Sequence, residues 1–301
     1  MNGDYDKFRR AGKILNAVFK RVLNRVQPGV SILELCEYIE GEIRANGAQP
    51  AFPANIDVNE VAAHYTARIG DDSTIPPNSV VKIDLGAHVD GYIVDAAVTI
   101  YFNQAYSMLV KAAREALMNA IGSVKAGVEV SKIGSVVDRT ISSYGFKPIK
   151  NLTGHLITRY NLHAGKSVPN YDDGSRVRMV EGEVYAIEPF ATNGRGLVYD
   201  GNVVTIYRLV KTSPKGLPRE AKEAVEYIYA NFNVLPFTPR WLVRRFGGEA
   251  ARIINTLANS NVLYQYPILI EGGGGFVAQF EDTVIVHKDG AEPLVGVLDI
   301  V

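Results

Sequence analysis

Apolar residues recur along the chain with two different periods. Between residues 5 and 25, Phe8, Ile14, Leu15, Val18, Phe19 and Val22 fall at spacings that one helical stripe collects. Pro28 and Gly29 end that element. Ser31 is placed to cap a second helix running to about Ala45, with Gly47 as its stop. The pattern then changes. Residues 80–86 (VVKIDLG) and 92–101 (YIVDAAVTIY) are rich in branched and aromatic side chains and predict two strands. Asp90 and Gly91 between them predict a hairpin turn. Helices are expected at 103–123 and 131–143, and strands at 183–190 and 203–210. Residues 219–232 read as a helix, with Ala221, Ala224, Val225, Ile228 and Tyr229 apolar at helical spacing, and 239–246 and 249–259 as two shorter ones. The tail returns to strand composition at 276–287 and 294–301.

These elements repeat. VQPGV at 26–30 is matched by VKAGV at 124–128, and Gly47 and Pro50 by Gly145 and Pro148, where 145 − 47 and 148 − 50 are both 98. A unit that long is not a solenoid repeat. Two related halves around one shared site fit better. The segment 212–265 interrupts the pattern and predicts a compact helical insertion, leaving 1–211 and 266–301 as the main domain.

Composition narrows the function. The chain has 301 residues, 47% apolar and 21% charged, an ordinary globular balance for one large domain or one carrying an insertion. Lys plus Arg and Asp plus Glu number 32 each, so no general attraction to nucleic acid or an anionic membrane is expected. Arg240, Arg244 and Arg245 form the densest basic stretch and read as a solvated helix face. The N-terminus lacks the apolar region of a signal peptide, and no apolar run reaches the length of a membrane span, so a cytoplasmic location is expected. Cys36 is the only cysteine, which rules out an internal disulfide.

Candidate chemistry lies where charge interrupts apolar strands. Asp84 in KIDLG and Asp95 in IVDAAV are costly to bury unless paired or bound to a cation. A hairpin reversing through 89 and 90 sets them directly opposite, since 84 + 95 = 179; a turn on Asp90 and Gly91 makes them diagonal neighbours on the same face. Carboxylates so close need a metal or a shared proton between them. Glu188 ends an apolar strand in VYAIEPF, and Glu281 shares a period-two face with Val277, Gln279 and Thr283. Charge at a sheet edge is the competing reading of either glutamate. Among five histidines, His155 in NLTGHLI, His163 in NLHAGK and His64 in EVAAHYT have supporting context; His88 and His287 have none.

In these segments the chain resembles the methionine aminopeptidases of type II, in their compact archaeal form, over nearly its whole length. KIDLGAHVDGYIVDAA, NLTGHLI, YAIEPF and AQFEDT resemble the family motifs that carry its metal ligands. The resemblance implies Asp84, Asp95, His155, Glu188 and Glu281 as ligands of two divalent ions (Co, Mn, Fe or Zn) that activate a bridging water. FPANIDVNEVAAHYT and LHAGK resemble segments with two further catalytic histidines, here His64 and His163. Glu188 is implied as proton carrier, and Phe52, Leu162 and Tyr266 as the wall of a methionine pocket, with His64 and His163 also touching substrate. The implied fold is the α/β (α+β) "pita bread", two similar halves with a curved, mostly antiparallel sheet and outer helices. The implied function is removal of N-terminal methionine from peptides and nascent proteins with a small second residue, near the ribosome. No segment advertises an obligate interface, so a monomer is expected, and the charge balance predicts no nucleic-acid or membrane site.

Proline dipeptidases share the five ligands, so the ligands alone leave the substrate open. The type II reading rests on the insertion, on RWLVRRF and on YQYPILIEGGGG. Two departures stand out. Asp282 occupies a position that is histidine in the family, and the loop after Glu188 is short, so a further pocket histidine has no match.

Overall fold

The computed structural model describes residues 2–301. Helix α1 spans Asn2–Val22 and ends in a 3-10 turn, Leu23–Arg25. Helix α2, Ile32–Ala45, begins where the Ser31 side chain accepts the Glu34 N–H, an ordinary N-cap. Helices α3 (Ser107–Ser123) and α4 (Val130–Ser143) follow the first sheet.

The duplication is visible in the elements themselves. Helices α2 and α4 are displaced by 98 residues at both ends (130 − 32 and 143 − 45). So are the short strands Gln49–Pro50 and Lys147–Pro148 (147 − 49). Gly47 and Gly145 end the two helices at φ 83° and 79°, a left-handed conformation only glycine takes at little cost.

Every strand pairing is antiparallel. One sheet joins Gln49–Pro50, Asn55–Val58, Val80–Val89 and Tyr92–Tyr101. Another runs through Ala291–Pro293, Asp282–Val286, Val184–Ile187, Thr153–Ile157 and Ser167–Pro169. A two-residue bridge between Ala97 and Glu281 stitches the two together. Helices α1 to α4 bury their apolar faces in one continuous core with Leu15, Phe19, Ile39, Leu117 and Ile133 at its heart.

Helices α5 (Arg219–Phe232), α6 (Pro239–Phe246) and α7 (Ala250–Asn259) pack on a separate apolar cluster that includes Ile228, Phe237, Leu242 and Leu257. Tyr207 and Leu209, from the long strand Val198–Leu209, complete it. That strand pairs with Leu263–Glu271, which in turn pairs with Val61–Ala63. Among the described residues no helix is long and apolar enough to cross a membrane.

One open alternative is decided and two expectations are corrected. The hairpin turns on Asp90 and Gly91, both at positive φ, so Asp84 faces Ala97, Asp95 faces Gly86, and the aspartates are the diagonal neighbours that this turn predicts. Residues 294–301 do not form a strand. The buried Asp282 carboxylate accepts the N–H groups of Val295, Gly296 and Val297, which removes those donors from any ladder. Arg240 is not on a solvated face: its side chain is 5% exposed and pairs with Glu40 at 2.8 Å, whereas Arg244 and Arg245 are exposed.

Candidate metal centre

The strands carry five charged or ionisable side chains into one cleft. Asp84 and Asp95 come from the two arms of the first hairpin, two residues out of register on the same face. Glu281 hydrogen-bonds through its backbone to Ala97, the residue opposite Asp84, so it lies in the next row. His155 is at the centre of Thr153–Ile157, paired with Ala186, and Glu188 follows directly on that neighbouring strand. Asp95, His155 and Glu281 each offer a donor atom within 4.8 Å of the others. His155 Nε2 lies 3.7 Å from Asp95 Oδ2 and 3.4 Å from Glu188 Oε1.

The electrostatics of this cluster are unfavourable without a cation. Burial raises Asp84 to about 7, against hydrogen bonds from Gln279, Asp95 and Asn55 that pull it down. Burial, and then the neighbouring carboxylates, hold Asp95, Glu188 and Glu281 well above the usual carboxylate range. Burial, and then His163, hold His155 well below its ordinary value, so it is a neutral imidazole with a free lone pair. Asp84 Oδ1, Asp95 Oδ1 and Glu281 Oε1 are buried and have no hydrogen-bond partner. Orphaned oxygens of this kind are rare in folded proteins and call for an ion. The donor set therefore fits a divalent metal.

The cleft around the cluster has a volume of about 230 Å³, and Phe52, His64, Leu162, His163 and Tyr266 line it with all five ionisable groups. A Cβ on Gly86 would lie 2.2 Å from the Phe52 ring, so glycine at that strand position makes room for the ring. Ile206 and Pro236 also line the cleft.

His163 stands with its ring 4.4 Å from that of His155, and burial lowers it to about 4. His64 has φ 72°, uncommon for a residue other than glycine, and its Nδ1 is 3.1 Å from the Pro267 carbonyl. A carbonyl oxygen only accepts, so Nδ1 carries the proton and Nε2 is left as an acceptor. Burial also lowers its pKa, which keeps the ring neutral. His88 instead accepts the Gly91 N–H inside the hairpin turn, and His287 pairs with Glu292 at the surface.

Sequence reasoning missed the supports behind the ligands. Gln279, fully buried, donates from Nε2 to Glu281 Oε2 at 2.9 Å. Lys82, also fully buried, donates to the carbonyls of Asn59 and Val277. Asn55 faces Asp84 across the strand pair. The available signal was the same one that marks the aspartates: polar residues on a face that is otherwise dry.

Residues 6–288 match the model of metallopeptidase family M24, and the chain belongs to that family. A metal-dependent enzyme is thus the class that fold and site define. Its relatives in the family include archaeal methionine aminopeptidases. The chain is 41% identical over 289 residues to that of Methanocaldococcus jannaschii, covering 96% of this chain and 97% of the relative. It is 45% identical over 288 residues to that of Pyrococcus abyssi, covering 95% and 97%. Two solved structures share the pita-bread fold. A thermophilic Arx1 superposes with TM-score 0.85 at 18% identity, covering 98% of this chain and 91% of that one. The Thermotoga maritima methionine aminopeptidase superposes with TM-score 0.71 at 20% identity, covering 98% and 97%.

Proposed function

We propose that this enzyme removes the N-terminal methionine from peptides and nascent proteins whose second residue is small. The observation that carries the reading is a cluster of acid and imidazole side chains lining one cleft with apolar walls, in a chain 41% identical to a methionine aminopeptidase over 96% of its length. Asp84, Asp95, His155, Glu188 and Glu281 hold two divalent ions. Carboxylate oxygens with one imidazole suit cobalt, manganese, iron or zinc. When bound, the ions supply Lewis-acid activation of a water and of the scissile carbonyl.

The chain's own residues do the rest. Phe52, Leu162 and Tyr266 receive the methionine side chain, whose unbranched thioether fits an apolar wall. Glu188 takes the proton of the attacking water and delivers it to the leaving amine nitrogen. His163, neutral in its buried setting, donates to the carbonyl oxygen as charge builds there. His64 Nε2 accepts from the scissile amide or the next one, and a bulky second residue would strike the wall beside it. The residues 212–265 form a helical insertion on a main domain of 1–211 and 266–301. The enzyme acts as a monomer in the cytoplasm on peptide and nascent-chain N-termini; the balanced charge argues only against a nucleic-acid or membrane site.

The test is metal-loaded protein given Met-Ala-Ser, Met-Lys-Ser and a Xaa-Pro dipeptide. Methionine release from the first alone is expected; cleavage of the dipeptide in its place would overturn the reading.

A further inference from the structure

Next to the cleft, past His163, lies a smaller recess of about 90 Å³. Leu162, His163, Pro236 and Tyr266 line both, so the two adjoin. The recess adds a residue of a different kind, Arg208. Arg208 stands two positions after Ile206 on the same strand, so both side chains leave the same face; Ile206 faces Tyr266 and Arg208 faces Tyr264 in the pairing. Its guanidinium carbon sits 5.2 Å from the centre of the Tyr264 ring, which holds the planar head by a cation–π contact. Its charge also reaches the Tyr266 hydroxyl. The side chain is half-buried, and no carboxylate lines the recess. A guanidinium is a rigid fork of donors shaped for a carboxylate, and here that partner does not come from the cavity walls.

The substrate's course makes the position informative. This step rests on the aminopeptidase reading above. The amino terminus is held at the ionisable cluster, and the chain beyond the cleaved bond leaves past His64 and His163. An extended peptide advances ~3.3 Å per residue. The His163 ring is 4.4 Å from His155, and Arg208 lines the recess that His163 shares with the cleft. We propose that Arg208 is a specificity-determining residue that receives a substrate carboxylate two or three residues beyond the cleaved bond. The carboxylate can be an acidic side chain or the chain terminus of a short peptide. The enzyme then favours substrates carrying negative charge at that distance.

Two arms separate the sources. The metal-loaded protein is given Met-Ala-Asp-Ser-amide and Met-Ala-Ser-Asp-amide, each beside its Asn counterpart, and Met-Ala-Ser as free acid beside its amide. A kcat/KM ratio of roughly tenfold for acid over neutral partner is expected in at least one pair, as one charge-assisted hydrogen bond supplies. The ratio should shrink as salt is added. Arg208→Met should bring it close to one, and Arg208→Lys should keep part of it. Each ratio is internal to one variant, so partial loss of folded protein cancels. Ratios near one in the unaltered protein for every pair, or an unchanged ratio in Arg208→Met, would overturn the role of Arg208 while leaving the aminopeptidase reading intact. Failure to release methionine from any peptide would remove both.

Discussion

Glu40 and Glu281 are both almost completely hidden, at 2% and 1% exposure, yet their surroundings are opposite. Glu40 accepts from Arg240 Nη2 at 2.8 Å, from Trp241 Nε1 at 2.6 Å and from the Ala54 N–H at 3.3 Å. The same guanidinium reaches Thr66 Oγ1 and the Ala67 carbonyl, close to His64. This cluster closes on itself: a charge from α2 is met by a charge and a donor from α6. Around Glu281, by contrast, carboxylates crowd one another and oxygens on three of them have no partner. A folded chain can satisfy a buried acid with its own groups, as it does at Glu40. Where it gathers acids and does not satisfy them, folding free energy has been given up for the benefit of a cation.

The sharpest way to break the contrast is to remove one acid from each side. Glu281→Ala should cut methionine release by on the order of a thousandfold or more, since it disables the group that activates water. Calorimetric titration should show divalent binding lost, while the chelated variant is at least as resistant to urea as the chelated parent. Full metal content with full activity would contradict the assignment.

Glu40→Ala should do the reverse. It leaves Arg240 buried with no carboxylate, which costs about 3–5 kcal/mol of stability in urea unfolding. Metal affinity of the remaining folded protein should change far less than in Glu281→Ala. A stability loss no larger than that of an exposed substitution would show that the pair is weak.

The smallest expected effect is a difference in pH slope. With divalent ions chelated, Asp84 titrates at about 7 because burial disfavours its charge. An unfolded aspartate titrates near ~4. Between those values the folded chain holds a proton that the unfolded chain has released, so stability falls as pH rises across that window. Adding the ion should flatten the fall. Asp71 slopes the other way. Burial alone would raise it, but hydrogen bonds from Ser73, the Arg68 N–H and Tyr65 outweigh that and hold it below the usual range. Its contribution is present above the unfolded pKa and is lost as pH falls below it. Asp71→Asn should therefore soften the acid limb and leave the neutral limb alone, as denaturant midpoints from pH 2 to 8 would reveal.

Much of this architecture was legible in the residues. The periods of apolar positions located α2, α4 and the helices after 218 to within a few residues, because each buries one face. The 98-residue offset was readable because Gly47 and Gly145 both need a left-handed backbone. The aspartates stood out because charge in a dry strand has few explanations. What escaped lies in contacts between distant segments. Thr283 exchanges hydrogen bonds with the Asp95 backbone across 188 positions, and Lys82 ties itself to Val277 across 195. No local pattern reports such contacts. Arg240 was misread for the same reason: its partner, Glu40, is 200 residues away. The tail was misread because three backbone donors were claimed by Asp282, a side chain outside their own segment.

Gly86 carries a consequence of its own. The Phe52 ring occupies the space where any other residue at position 86 would put its first side-chain carbon, 2.2 Å away. A methyl added there would drive the ring forward into the cleft. The reach of the cavity is thus governed from behind its wall, by a residue that never meets the ligand. A lineage could retune which side chains it admits without altering one atom that touches them.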